Sequence, residues 1–220
     1  MNQTNKFDQL TSLLQSKVPY GNLAIQSVPM VESIKLALIE ESYPQHDLTH
    51  EQVEFLMDGP PYWAFCWASG QVLAKYLIEN PHEVVNKSVV DFGSGSGVVA
   101  IAAKLAGAKS VVAVDNDPGA LLAVEINAEL NRVELCLSDN ISALPLTKSE
   151  SVLLIADVFY DADNIPSLNT FLTEYADVII ADSRVKPRDL NGVSMIGNYQ
   201  SCTVPDLGES IDFNSVNIYR

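Results

Sequence analysis

The chain has 220 residues, 47% hydrophobic and 19% charged, a balance that excludes a disordered or coiled-coil protein and suits one domain with a sizeable core. Thirteen Lys and Arg stand against 28 Asp and Glu, and the resulting net charge of −15 argues against a nucleic-acid partner, because it repels phosphate backbones. A basic protein surface would gain encounter rate from the same field.

The first residues, MNQTNKFDQL, lack an apolar leader, and no run reaches the roughly 18 apolar residues that a membrane span needs, so a cytoplasmic protein without a membrane partner is expected. Residues 1–60 read as a helical extension: Leu10, Leu13 and Leu14, then Val31, Ile34, Leu38 and Ile39, fall at helical spacing on either side of Pro19, Gly21 and Pro29. Residues 61–220 read as the main domain, the whole forming one unit. It opens with an apolar helix from Trp63 to Ile78, ended by Asn80 and Pro81. Strand and helix then alternate. Strands are predicted at 88–92, 110–115, 133–137, 152–157 and 178–182, with helices at 97–106, 118–130 and 164–175. Asp117 as N-cap and Pro118 at the first helical position start the second of these helices. Continuous apolar strands such as VVAV and VLLIA suit a parallel sheet buried on both faces, joined by right-handed crossovers. Ser194–Thr203 and Phe213–Tyr219 read as an antiparallel edge hairpin. The fold class expected is α/β, a doubly wound, mostly parallel, seven-stranded sheet with an N-terminal helical extension.

The sharpest local signal is Val89-Val90-Asp91-Phe92-Gly93-Ser94-Gly95-Ser96-Gly97, a strand running into a glycine loop that opens a helix. Dinucleotide loops space their glycines as G-x-G-x-x-G; here Val98 holds the third such position and the glycine falls one residue early. Asp91 would also set an anion beside a pyrophosphate, whereas a cationic ligand tolerates it. Asp115 ends the next strand, where a carboxylate can accept hydrogen bonds from ribose hydroxyls. Asp139-Asn140 ends the third and can reach an adenine edge, or serve simply as a loop Asx pair. The bland alternatives are a structural turn for the loop and core packing for the tryptophans.

The D-x-G-x-G-x-G loop resembles motif I of class I S-adenosylmethionine methyltransferases. Together with AVDNDP, the Pro61-to-Gln71 block PYWAFCWASGQ and Asp157-Val158-Phe159-Tyr160 within DVFYDAD, it resembles the seven-β-strand protein-lysine methyltransferases, in particular the electron-transfer-flavoprotein β-subunit lysine methyltransferase family. The likeness runs from about Val28, where VPMVESIKLALIEE looks like that family's leading helix, to about Asp182; the tail departs from the pattern.

The resemblance implies a Rossmann-like class I fold and S-adenosyl-L-methionine as cofactor. It implies that Asp91, Gly93, Ser94, Gly95, Gly97, Asp115 and Asn116 bind the cofactor, with Asp139 and Asn140 beside the base. Trp63 and Trp67 would lie near it or its entrance, Trp63 being the favoured site residue, and Gly70 and Gln71 would bring their helix close. Asp157 would face the transferred methyl and, with Tyr160, orient the incoming amine. Asp161 and Asp163 extend an acidic rim. His46, His50 and His82 lack ligand spacing, so no metal is expected. The implied reaction is N-methylation of a lysine exposed on a protein, electron-transfer flavoprotein β-subunit or a ribosomal protein, by an enzyme expected to be monomeric. A small-molecule N-methyltransferase and a non-catalytic cofactor-binding scaffold are the alternatives.

Overall fold

A computed structural model of the chain describes residues 3–44, 48–159, 161–185, 190–206, 208 and 210–220. In chain order the elements are α1 (Gln3–Lys17), β1 (Leu23–Val28), β2 (Val31–Ile39), α2 (His50–Met57), α3 (Ala68–Glu79), β3 (Ser88–Phe92), α4 (Val98–Leu105), β4 (Ser110–Val114) and α5 (Pro118–Leu130). They continue as β5 (Cys136–Ser138), β6 (Ser151–Ala156), α6 (Ser167–Glu174), β7 (Asp177–Asp182), β8 (Met195–Gln200) and β9 (Ser215–Tyr219). β3 to β9 form a seven-stranded sheet in the order β5-β4-β3-β6-β7-β9-β8. The first five positions pair in parallel, and β9 lies antiparallel to both β7 and β8. The doubly wound sheet with its antiparallel edge pair is thus present. After β5 the chain returns to the far side of β3, so the strand order reverses there, and the carboxyl edge at that point is where such sheets hold ligands.

The first sixty residues differ from expectation. Val31–Ile39 is a strand, paired with β1 from Leu23↔Ile39 to Ser27↔Lys35. Ile34, Leu36 and Leu38 enter the cluster formed by α3, α4 and the sheet, while Ala37 and Ile39 pack with Leu10 and Leu14 of α1 and Ile126 of α5. From Leu36 to Ile39 the strand is buried on both faces, so no polar residue marks its period of two there, and its apolar positions then mimic helical spacing. The Trp63–Ile78 helix also starts later, at Ala68. Tyr62–Ala64 form a short 3-10 turn, and Cys66 is drawn into an isolated antiparallel bridge with Val204, Cys66 N donating to Val204 O at 2.7 Å and Val204 N to Cys66 O at 2.9 Å. That extended pairing is incompatible with helix, so Trp67, also extended, becomes the N-cap. β5 begins three residues after position 133, because its ladder with β4 begins at Val112↔Cys136.

One buried side chain joins the N-terminal hairpin to the sheet. Asn127 on α5 is fully buried; its Oδ1 accepts from Ala37 N at 2.7 Å and its Nδ2 donates to Ser96 O at 2.8 Å, so strand β2 and the glycine loop hang on one amide. Replacing Asn127 with Leu, similar in size, strands a buried N–H and a buried carbonyl at about 1–3 kcal/mol each. The urea midpoint of Asn127→Leu is expected to fall clearly with the denaturant slope unchanged; an unaltered midpoint would show that the amide does not tie the two parts.

Candidate active site

β3 ends in a loop that only glycine suits. Gly93, Gly95 and Gly97 have φ of +74°, +51° and +81°. The outer two are also crowded by the fold, for a Cβ on Gly93 would stand 2.6 Å from Val158 Cγ2 and one on Gly97 3.1 Å from Val124 Cγ2. Gly95 differs: a Cβ there would meet nothing within 4 Å. The middle of the loop therefore faces open space, where a ligand can approach the backbone. Ser94 is buried and spends its hydroxyl on the loop itself, donating to Asp91 O at 2.9 Å. The N–H groups of Gly93 and Ser94 both reach Val114 O, at 2.9 and 3.1 Å, which anchors the loop on β4.

Four aspartates stand at the carboxyl edge, on β3, at the ends of β4 and β6, and at the end of β7, and each accepts backbone N–H groups. Asp91, only 2% exposed, takes Ala100 N at 3.1 Å in the first turn of α4. Asp115 takes Gly95 N at 2.9 Å on Oδ2 and Asp117 N at 3.0 Å on Oδ1, which leaves each oxygen a further lone pair. Asp157, left-handed at φ +51°, takes Ser69 N at 3.1 Å and the Ser69 hydroxyl at 2.6 Å, capping the start of α3. Asp182, fully buried, takes Arg184 N at 2.8 Å and Val185 N at 2.9 Å, and its Oδ2 has no partner among the described residues.

Burial dominates the electrostatics of this edge. It pushes the Asp91 carboxyl up to about 7 against the pull of the Ala100 N–H. Asp157 is also pushed up to about 7, first by burial and then by the charge of Asp182, while Ser69 and Arg184 pull it down. Asp115 and Asp182 are raised by burial as well. Asp182 was not among the residues singled out from sequence; the signal was available, since it closes the DVIIAD strand beside the one that ends at Asp157.

The other expected site residues are distributed unevenly. Trp63 is buried among α1 and α5, its indole Nε1 only 2.7 Å from where a Cβ on Gly119 would stand, so it is core. Trp67 is the half-buried one at the edge, its Nε1 donating to Tyr62 O at 2.9 Å, and the preference for Trp63 is reversed. Gly70 serves helix packing, a Cβ there standing 3.0 Å from Val98 Cγ1 of α4. Gln71 is buried and donates to Cys66 O at 3.3 Å and Cys202 O at 2.6 Å, bracing the connection between β8 and β9 against the start of α3. Asn116 and Asp139 are exposed beside Asp115, whose N–H donates to Ser138 O at 3.2 Å. Asn140 caps the turn after β5 through Ser142 N at 2.8 Å. Asp161 and Asp163 are exposed, as a rim requires. Tyr160 lies outside the described residues. Among the described residues no group of three or more His, Cys, Asp or Glu is placed to hold a metal ion.

This strand order, the loop after β3 and the antiparallel edge pair are those of the class I methyltransferase fold. The solved structures bear this out: the ribosomal protein L11 methylase of Lactobacillus delbrueckii subsp. bulgaricus superposes with a TM-score of 0.50 at 24% identity, covering 69% of this chain and 76% of that one. Magnesium protoporphyrin IX methyltransferase of Synechocystis PCC 6803, solved with bound S-adenosylmethionine, gives 0.52 at 15%, covering 79% and 83%. Within that fold, the profile of the ribosomal protein L11 methyltransferase (PrmA) family matches residues 73–180. The human electron transfer flavoprotein beta subunit lysine methyltransferase is 44% identical over 124 residues, 56% of this chain and 47% of the human protein. The resemblance read from the motifs is therefore upheld, and the chain spans about half the length of the curated relatives it matches.

Because Asp91 and Asp157 are both pushed up to about 7, the folded protein binds protons that an unfolded chain releases near pH 4. Their contribution to stability is full at low pH and is lost as pH rises through about 7. The urea midpoint is expected to drop between about pH 6 and about pH 8, and to drop less in Asp91→Asn and in Asp157→Asn. Equal pH dependence in all three proteins would show that the two carboxyls titrate normally.

Proposed function

We propose that this chain is an S-adenosylmethionine-dependent N-methyltransferase acting on lysine side chains of a protein. The observation that carries the reading is the open approach to Gly95, flanked on one sheet edge by Asp115 and Asp157. The residues present fit that cofactor. Asp115 retains lone pairs for two ribose hydroxyls, and an acidic edge suits a sulfonium better than a pyrophosphate. Gly93 and Gly97 supply the positive φ that shapes the loop beneath it, and Asn116, Asp139 and Asn140 line the route to the base. The printed names of the relatives supply the acceptor class: electron transfer flavoprotein β-subunit first, ribosomal protein L11 second. Three free cysteines, at 66, 136 and 202, suit a reducing compartment, and we infer a cytoplasmic monomer.

The bound cofactor supplies a sulfonium methyl that the amine displaces in line, with a neutral thioether leaving. The chain's own contribution is alignment, which in well-oriented reactions is worth roughly 7–11 kcal/mol. Asp157, fixed by Ser69, accepts a hydrogen bond from the amine and turns its lone pair toward the methyl. A lysine ammonium near pKa 10.4 must shed its proton first, and Asp157, pushed up to about 7 by burial, accepts the amine's hydrogen bond in its ionised form, which grows as pH rises through that value.

Calorimetric titration with S-adenosylhomocysteine and, in parallel, NAD should show binding of the first alone, and radiolabelled methyl groups should enter a discrete protein band of a cell extract. Label confined to small molecules would favour a small-molecule acceptor, and absence of binding would end the methyltransferase reading. Asp157→Ala is expected to lose transfer while S-adenosylhomocysteine affinity stays within about threefold. Gly95→Val, forced to a φ that a β-branched residue rarely adopts and projecting into the ligand's space, should weaken that affinity by at least about tenfold.

A further inference from the structure

Helix α3 starts without a capping side chain: its N-cap is Trp67, which makes no side-chain cap bond, so the first N–H groups of the helix need acceptors from elsewhere. Ser69, the second residue of α3 and fully buried, turns both of its donors on one carboxylate. Its N–H donates to Asp157 Oδ2 at 3.1 Å and its hydroxyl to Asp157 Oδ1 at 2.6 Å. Because the two bonds reach different oxygens, the carboxylate plane cannot rotate without breaking one of them. An ionised carboxylate has about four acceptor positions, so each oxygen keeps a lone pair that Ser69 does not use. On the other side, Asp157 N donates to Ala181 O at 3.2 Å and the β6–β7 ladder closes at Ala156↔Ala181, which sets Asp182 at the next place on the neighbouring strand. The charge of Asp182 opposes ionisation of Asp157 and that of Arg184, in the turn after β7, favours it; the Cys66 thiol, pushed up by burial, stays neutral.

We propose that Ser69 is a positioning residue for the transfer step: its two donors keep Asp157 ionised and fix the plane in which the carboxylate meets the acceptor amine. The proposal rests on the reading above that Asp157 receives that amine. Donors gain most from a charged acceptor, so both bonds favour the carboxylate over the acid. A protonated Asp157 would set its proton on an oxygen that already faces a donor, and the N–H of Ser69, unlike the hydroxyl, cannot turn to accept it. Burial works the other way and brings the titration of Asp157 to about 7, the range in which a modest change in hydrogen bonding alters the charged fraction most at neutral pH. Ser69 thereby decides how much of the protein is competent at neutral pH, acting through Asp157 and not by a contact of its own with the acceptor.

The test follows the side-chain carboxyl carbon of Asp157 by NMR as pH is varied, the signal being identified by its loss in Asp157→Asn. In the unaltered protein the Ser69 amide signal should titrate with the same midpoint as that carbon; an amide that does not follow it would overturn the proposal whether or not a Ser69 variant folds. In Ser69→Ala, which removes the shorter bond and leaves the N–H, the carboxyl midpoint should rise by at least about one pH unit. Methyl transfer into the labelled protein band at saturating S-adenosylmethionine should then be about fivefold slower in Ser69→Ala at about pH 7 and should approach the unaltered rate by about pH 9, with S-adenosylhomocysteine affinity within about threefold. An unchanged midpoint in Ser69→Ala would overturn the proposal, as would a rate loss of the same size at every pH, which marks a structural role alone. Failure of S-adenosylhomocysteine to bind would instead strike the methyltransferase reading, while the two NMR titrations would still decide whether Ser69 governs Asp157.

Discussion

Carboxylates that cannot be fully hydrated hold this molecule's working edge together. Asp91, Asp115, Asp157 and Asp182 sit at the same end of four neighbouring strands, and each accepts at least one backbone N–H of a loop or helix start. Desolvation penalises their charge, and the captured amides partly offset that penalty. The consequence is positional. α3, α4 and the glycine loop are each tied to a strand end by one of these side chains, so the surface above the sheet is fixed before any ligand arrives, which is the preorganisation that alignment catalysis requires.

The same edge carries an internal tension. Asp157 and Asp182 repel one another across adjacent strands, and Asp182 keeps an oxygen without a partner among the described residues. Ser69 and Arg184 relieve this from two sides, one with hydrogen bonds and the other with charge. Asp157 also holds a left-handed backbone, a strain that persists only where surrounding structure over-determines it and that gathers at functional sites.

Much of the fold could be read from the chain. Strand β3, helix α5 with its Asp117 cap, and the edge pair lie close to where residue patterns put them, because each has a local cause: a β-branched run, a cap followed by proline, a turn between apolar stretches. What misled was tertiary. β2 looks helical because from Leu36 to Ile39 both of its faces are covered by elements distant in sequence, and the burial of Trp63 is hidden because nothing local says that it will pack on Gly119. Of the candidate site, the positive-φ glycine loop and the strand-end position of Asp115 were legible from spacing. Asp182 carries the same strand-end signal in DVIIAD, but its place beside Asp157 exists only once β6 and β7 pair. Gly70 and Gln71, though inside a well-marked block, turned out to serve packing and the Cys202 strap.

Asn127 gives the chain an unusual wiring. Its amide satisfies a strand N–H in the first forty residues with one end and a carbonyl of the glycine loop with the other. Peeling the hairpin away would remove a support of the loop, and loosening the loop would weaken the hairpin's seat. The two segments, remote in sequence, should therefore open and close as one cooperative unit in native-state fluctuations, so that whatever steadies the loop also slows solvent exchange at Ala37.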